Sequence, residues 1–112
     1  MEDTASVALV LTTISTEEHA ETLARQLLEE RLIACSTVIG AAASHYWWGG
    51  TITSETEAVL LLKTRSDLVE QLRQRILELH PYNVPEVIVL QPFAVSEAYA
   101  AWVEESTKPS QN

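Results

Sequence analysis

An α+β fold is predicted, with the element order β-α-β-β-α-β and a further helix at the end. Three observations predict it. Two stretches, one around Ala20, Leu23, Ala24, Leu27 and Leu28, the other around Val69, Leu72, Ile76 and Leu79, repeat apolar residues at helical spacing. Short apolar runs at Val7 to Leu11, Ala58 to Leu62 and Val87 to Leu90 have the length of strands. Gly49-Gly50 is a two-residue hairpin signal, because such turns need positive φ at both positions.

Each element follows from its residues. Val7 to Leu11 reads as a buried strand. Ser15, with Glu18 three residues on, forms a capping-box pattern that opens the first helix. Glu21 and Arg25 sit one turn apart on its outer side, and it should end near Arg31. Leu32 to Ile39 reads as the second strand, interrupted at Gly40 by a bulge or kink. Extended character resumes from Ser44 to Trp48, and the return strand runs from Thr51 to about Thr64. This makes a long ribbon. Ser66 is placed to cap the second helix. His80-Pro81-Tyr82-Asn83-Val84-Pro85-Glu86 ends that helix, since each proline fixes φ and pushes the residue before it toward extended geometry. Val87 to Leu90 is the fourth strand. Ser96 opens a short last helix with Tyr99, Trp102 and Val103 on one side. One domain spans residues 1–112, with an ordered core from about 5 to 107 and a polar tail, 108–112, expected to fray.

This order is the split βαβ, ferredoxin-like plan. It puts both long helices on one face of an antiparallel sheet. A sheet wet on its other face should alternate apolar and polar residues. Three of these strands are apolar at every position, so both faces need cover. The terminal helix is short for that task, and another subunit is expected to complete it.

Composition narrows the function. The 112 residues carry a formal net charge of -9 with only seven Lys and Arg. No basic stripe suited to nucleic acid is present. No apolar run reaches membrane-spanning length. Met1 is followed by Glu2 and Asp3 rather than by a basic secretory region. Cys35 is the only cysteine, and cytoplasm is the expected compartment. An acidic balance suits cations, basic partners or plain solubility. Phosphate loops, Gly-x-Ser-x-Gly elbows and His-Glu-x-x-His patterns are absent, so no enzyme is expected.

Five segments in register resemble one family. They are Glu30-Arg31-Leu32-Ile33-Ala34-Cys35, Tyr46-Trp47-Trp48-Gly49-Gly50, Leu62-Lys63-Thr64, Leu79-His80-Pro81-Tyr82-Asn83-Val84-Pro85-Glu86 and Tyr99-Ala100-Ala101-Trp102-Val103. Over nearly the whole chain the sequence is similar to the CutA divalent-cation tolerance family. The resemblance implies a ferredoxin-like fold and a homotrimer built through long β-ribbons, similar to the trimers of PII signalling proteins. It also implies binding of copper(II) or another divalent cation, none of them obligatory. In one branch the proposed ligands are a cysteine ending the first strand and two adjacent histidines before the Pro-Tyr bridge. Thr12 and Leu79 replace two of these here, and His80 remains.

The residues themselves leave alternatives open. His80 is either a metal ligand or a helix-terminal side chain that bonds nearby carbonyls. Cys35 reads as a buried apolar group rather than a soft-metal ligand. Trp47 and Trp48 point to opposite faces of a strand, and pack at a subunit interface or line a cleft there. Lys63, Tyr82 and Glu86 either hold a small anion together or close the edge of the core, with Glu57 a further partner for Lys63. The acidic pairs on the helices read as solvated surface. The expected function is non-enzymatic divalent metal binding and tolerance, with copper implied by resemblance. The alternative is a PII-like trimer that senses small molecules or binds proteins through clefts between subunits.

Overall fold

The computed structural model describes residues 6–109. The elements are β1 (Val7–Ile14), α1 (Glu17–Glu29), β2 (Cys35–Trp48), β3 (Thr51–Arg65), a 3-10 turn (Ser66–Leu68), α2 (Val69–Leu79), β4 (Val87–Leu90) and α3 (Glu97–Ser106). The strands form one antiparallel sheet in the order β2-β3-β1-β4. The expected α+β class, strand pairing and bounds of β4 therefore hold. Of the expected frayed tail, residues 110–112 lie outside the described residues, while Lys108 pairs with Glu105 at 3.4 Å.

Strand alternation decides which side chains meet the helices. Val10 lies beside Leu62, Thr12 beside Leu60 and Ile14 beside Ala58. This face packs under Ala20, Leu23 and Leu27 of α1 and Leu72 and Ile76 of α2, and forms the main core. On the other face, Val7 packs with Ala34, Ala100 and Val103, so α3 covers one end only. A ten-residue helix is about 15 Å long, too short to cover the whole sheet. Full burial of the apolar strands is consequently not reached within one chain: Ile88 and Leu90 of β4 stay 45% and 43% exposed. Tyr99 and Trp102 of α3 are also partly exposed, and their tilted rings lie 5.6 Å apart.

Several local expectations are corrected. Thr16, not Ser15, caps α1; its hydroxyl accepts from the His19 amide at 3.1 Å, and Glu18 takes no part in that bond. Arg31 closes the helix with φ 62, and the Leu32 and Arg31 amides donate back to Leu27 and Leu28. That turn delays the start of β2 to Cys35. The irregularity in β2 falls between Ile39 and Ala42, and the positive φ belongs to Ala41 rather than Gly40. Gly40 instead lies against the Glu17 side chain. A Cβ there would lie 1.7 Å from Glu17 Oε1. Ser66 caps nothing; it opens the 3-10 turn and its buried hydroxyl has no partner. Gly49 and Gly50 take φ 59 and 80, as the hairpin requires.

Candidate functional site

The bridge after α2 is the organising element. His80 takes φ -78 and ψ 134, the extended geometry demanded by Pro81. Its ring lies buried beneath β1, with Nε2 2.6 Å from the Thr13 carbonyl oxygen. A carbonyl only accepts, so Nε2 holds the proton. Nδ1 then accepts from the Tyr82 amide at 3.2 Å. The imidazole is thus neutral with both nitrogens engaged, and the Tyr82 ring meets it edge-on at 4.6 Å.

These contacts aim Tyr82 at β3. Its hydroxyl donates to Glu57 Oε2 at 2.9 Å. Burial first, and then the bond to Glu57, pushes the Tyr82 hydroxyl well above the ordinary tyrosine range. Glu57 is itself only 7% exposed. No described residue forms an ion pair with it. Two residues along on the same face, Glu55 beside the Tyr46 hydroxyl pushes its pKa up. The hairpin register explains this grouping: Tyr46 lies opposite Thr53, Ser44 opposite Glu55 and Ala42 opposite Glu57.

Together these residues border a cleft of about 700 Å³ between ribbon and bridge. Tyr46, Trp47, Trp48, Glu55, Glu57, Tyr82 and Glu86 line it, with His45 and Asn83. Three carboxylates line it, with Tyr46 and Trp48 on the Glu57 face of the ribbon and Tyr82 on the bridge, and no Lys or Arg does. A larger groove of about 1130 Å³ runs elsewhere, between the free edge of β2 and Glu18, Glu21, Arg25 and Glu29 of α1. Its charged lining lies on the solvent side of that helix, and none of the bridge residues reaches it.

Of the sequence-derived candidates, Trp47, Trp48, Tyr82 and Glu86 are brought to one cleft. Lys63 is not. Its ammonium donates to Thr37 Oγ1 and lies 3.7 Å from Cys35 Sγ. It sits six residues from Glu57 along β3, about 20 Å away. The expected Lys63–Glu57 pairing is therefore replaced by Tyr82–Glu57. His80 borders the bridge without lining the cleft. Thr12 is fully buried in the core with its hydroxyl unpartnered, and Leu79 packs against the same core. Among the described residues, no three His, Cys, Asp or Glu side chains are grouped to hold a metal ion. No helix of the described residues is long and apolar enough to cross a membrane. The sequence reading missed Tyr46 and Glu55. Counting outward from Gly49-Gly50 would have placed both on the Glu57 face.

Known proteins agree with this architecture. Residues 8–106 match the family model for the CutA1 divalent ion tolerance protein. The divalent-cation tolerance protein CutA of Pyrococcus horikoshii is 46% identical over 100 residues, covering 89% of this chain and 97% of that protein. Its Thermus thermophilus counterpart is 38% identical over 99 residues, covering 88% and 96%. The structure of CutA from Synechococcus elongatus superposes with a TM-score of 0.91 at 39% identity, covering 96% of this chain and 95% of the other. The matched segment takes in every strand and helix described above except the first residue of β1, so this chain belongs to the CutA1 divalent ion tolerance family.

Proposed function

We propose that this chain serves divalent-cation tolerance as a non-enzymatic homotrimer of ferredoxin-like subunits that binds a divalent cation, copper(II) first among them. The observation that supports cation binding is Glu57. Its carboxylate is nearly buried, takes one hydrogen bond from Tyr82, and shares a cleft with Glu55 and Glu86 but no basic side chain. A buried carboxylate without a basic partner favours an external cation, which offsets its desolvation. A metal at His80 would have to displace the Thr13 carbonyl or the Tyr82 amide. The trimer reading rests on the apolar surface left bare on β4 and on Phe93, which is 97% exposed. The cytoplasmic placement rests on Cys35, a free thiol.

Calorimetric titration of wild type, Glu57→Gln and His80→Ala with copper(II) and zinc(II) tests the site. Stoichiometric binding weakened by Glu57→Gln is expected. No saturable binding at micromolar metal rules a specific site out. Sedimentation tests the assembly, since a folded 12.4 kDa monomer at micromolar concentration would exclude the trimer.

A second reading is a PII-like trimer that senses a small molecule or binds a protein. The size of the cleft and the tryptophans on it favour this reading, since a volume of about 700 Å³ lies in the range of small-molecule sites. A thermal-shift screen across metabolites should then give at least one saturable stabilisation.

A further inference from the structure

We propose that the cleft between ribbon and bridge binds a small organic ammonium ion, either a primary amine or a quaternary ammonium. This rests on the small-molecule reading above and names the ligand class. Volume comes first. The cleft holds about 700 Å³, in the range of small-molecule sites, and so admits an organic ammonium ion.

Charge decides second. Glu55, Glu57 and Glu86 line the cleft and no Lys or Arg does, so an anion meets only repulsion there. Glu57 is the fixed counter-charge. Its position in β3 is set by pairing with Ala42, and Tyr82 holds one of its oxygens. The other lining groups select among cations. Trp48, paired with Thr51 on the Glu57 face of the ribbon, is 61% exposed and borders the cleft with Tyr46 and Tyr82. Aromatic faces attract ammonium groups through the ring quadrupole, and more strongly when the site is partly desolvated. They also cover methylene or methyl groups, which a hydrated metal ion lacks. The cleft therefore pairs a buried carboxylate with aromatic walls, which is the chemistry that recognises alkylammonium groups.

The test uses the full chain with a chelator present, so that metal binding does not contribute. Tryptophan fluorescence and calorimetry follow titration with choline and putrescine. The controls are the uncharged tert-butyl analogue of choline, and acetate. Saturable binding of either ammonium, with both controls silent, is expected. Glu57→Gln should weaken it about tenfold, and Trp48→Ala by a similar factor. Trp48 is exposed, so its replacement leaves the fold intact even if the Glu57 variant unfolds. Equal response to the uncharged analogue overturns the proposal, as does unchanged affinity in Trp48→Ala. If only anionic or neutral metabolites bind, the ammonium proposal fails and the sensing reading survives. A flat response to every class removes both.

Discussion

The Tyr82 hydroxyl donates to Glu57 Oε2 at 2.9 Å and so fastens the proline bridge to the β-ribbon. Tyr82→Phe leaves a buried carboxylate without its donor. The expected loss is about 1–3 kcal/mol in urea unfolding. An unchanged midpoint would show that water replaces the hydroxyl at no net loss.

The same bond predicts an alkaline signature. Tyr82 has its pKa raised above 10.0 in the folded chain, by burial and then by Glu57. The unfolded chain therefore releases this proton first. The contribution is fully present below about pH 10 and is lost as the pH rises through the folded value. Wild type should lose stability above pH 10 more steeply than Tyr82→Phe. Parallel curves from thermal melts would contradict the assignment.

His80 joins Thr13 to Tyr82 through both ring nitrogens. His80→Ala removes two buried hydrogen bonds and leaves a cavity, for an expected loss of about 3 kcal/mol. Because the Tyr82 amide loses its acceptor, its hydrogen exchange should speed up more than that of Leu60 in the core. Equal acceleration at both sites would point to global unfolding alone.

Gly40 and Glu17 compete for one space. A Cβ at Gly40 meets Glu17 Oε1, Cδ and Cγ at 1.7, 2.3 and 2.7 Å. Glu17 is exposed and flexible, so it can swing away. Gly40→Ala should destabilise by about 1 kcal/mol or less. In a Glu17→Ala background the same change should be neutral or stabilising, because Gly40 does not need positive φ. A double-mutant cycle measures this coupling, and strict additivity would refute it.

Arg75 grips Glu30 with Nε 2.9 Å from Oε1 and holds its carboxyl below the usual 4.5. A lowered carboxylate pKa adds stability above the unfolded value, and that stability disappears as pH falls through the folded one. The pair is partly exposed, so the effect is small and salt-sensitive. Glu30→Gln should melt slightly below wild type at pH 7, with the gap closing under strong acid. A gap that persists there would indicate lost packing instead.

Much of this fold was legible because it is written in local spacing. The two positive-φ glycines announced the hairpin, but the β2–β3 register came only from the structure, where an irregularity between Ile39 and Ala42 shifts it. Two prolines and four consecutive apolar residues placed β4 to the residue. Caps were harder. Ser15 and Thr16 are both good caps, and the backbone turn selects Thr16. Gly40 signalled the bulge correctly, while the positive φ at Ala41 had no signal in the sequence.

The candidate site divides along the same line. Residue spacing alone determined the helices, the ribbon and the rigid bridge, because each depends on neighbours within a turn or a strand. The partners of His80 and Tyr82 lie 67 and 25 residues away. Only the sheet order and the path of the bridge bring Thr13 to His80 and Glu57 to Tyr82. Those meetings took Glu57 from Lys63 and left Lys63 with Cys35 and Thr37, about 20 Å along the same strand. Long-range pairing is set by how whole elements pack, and local sequence pattern does not encode it.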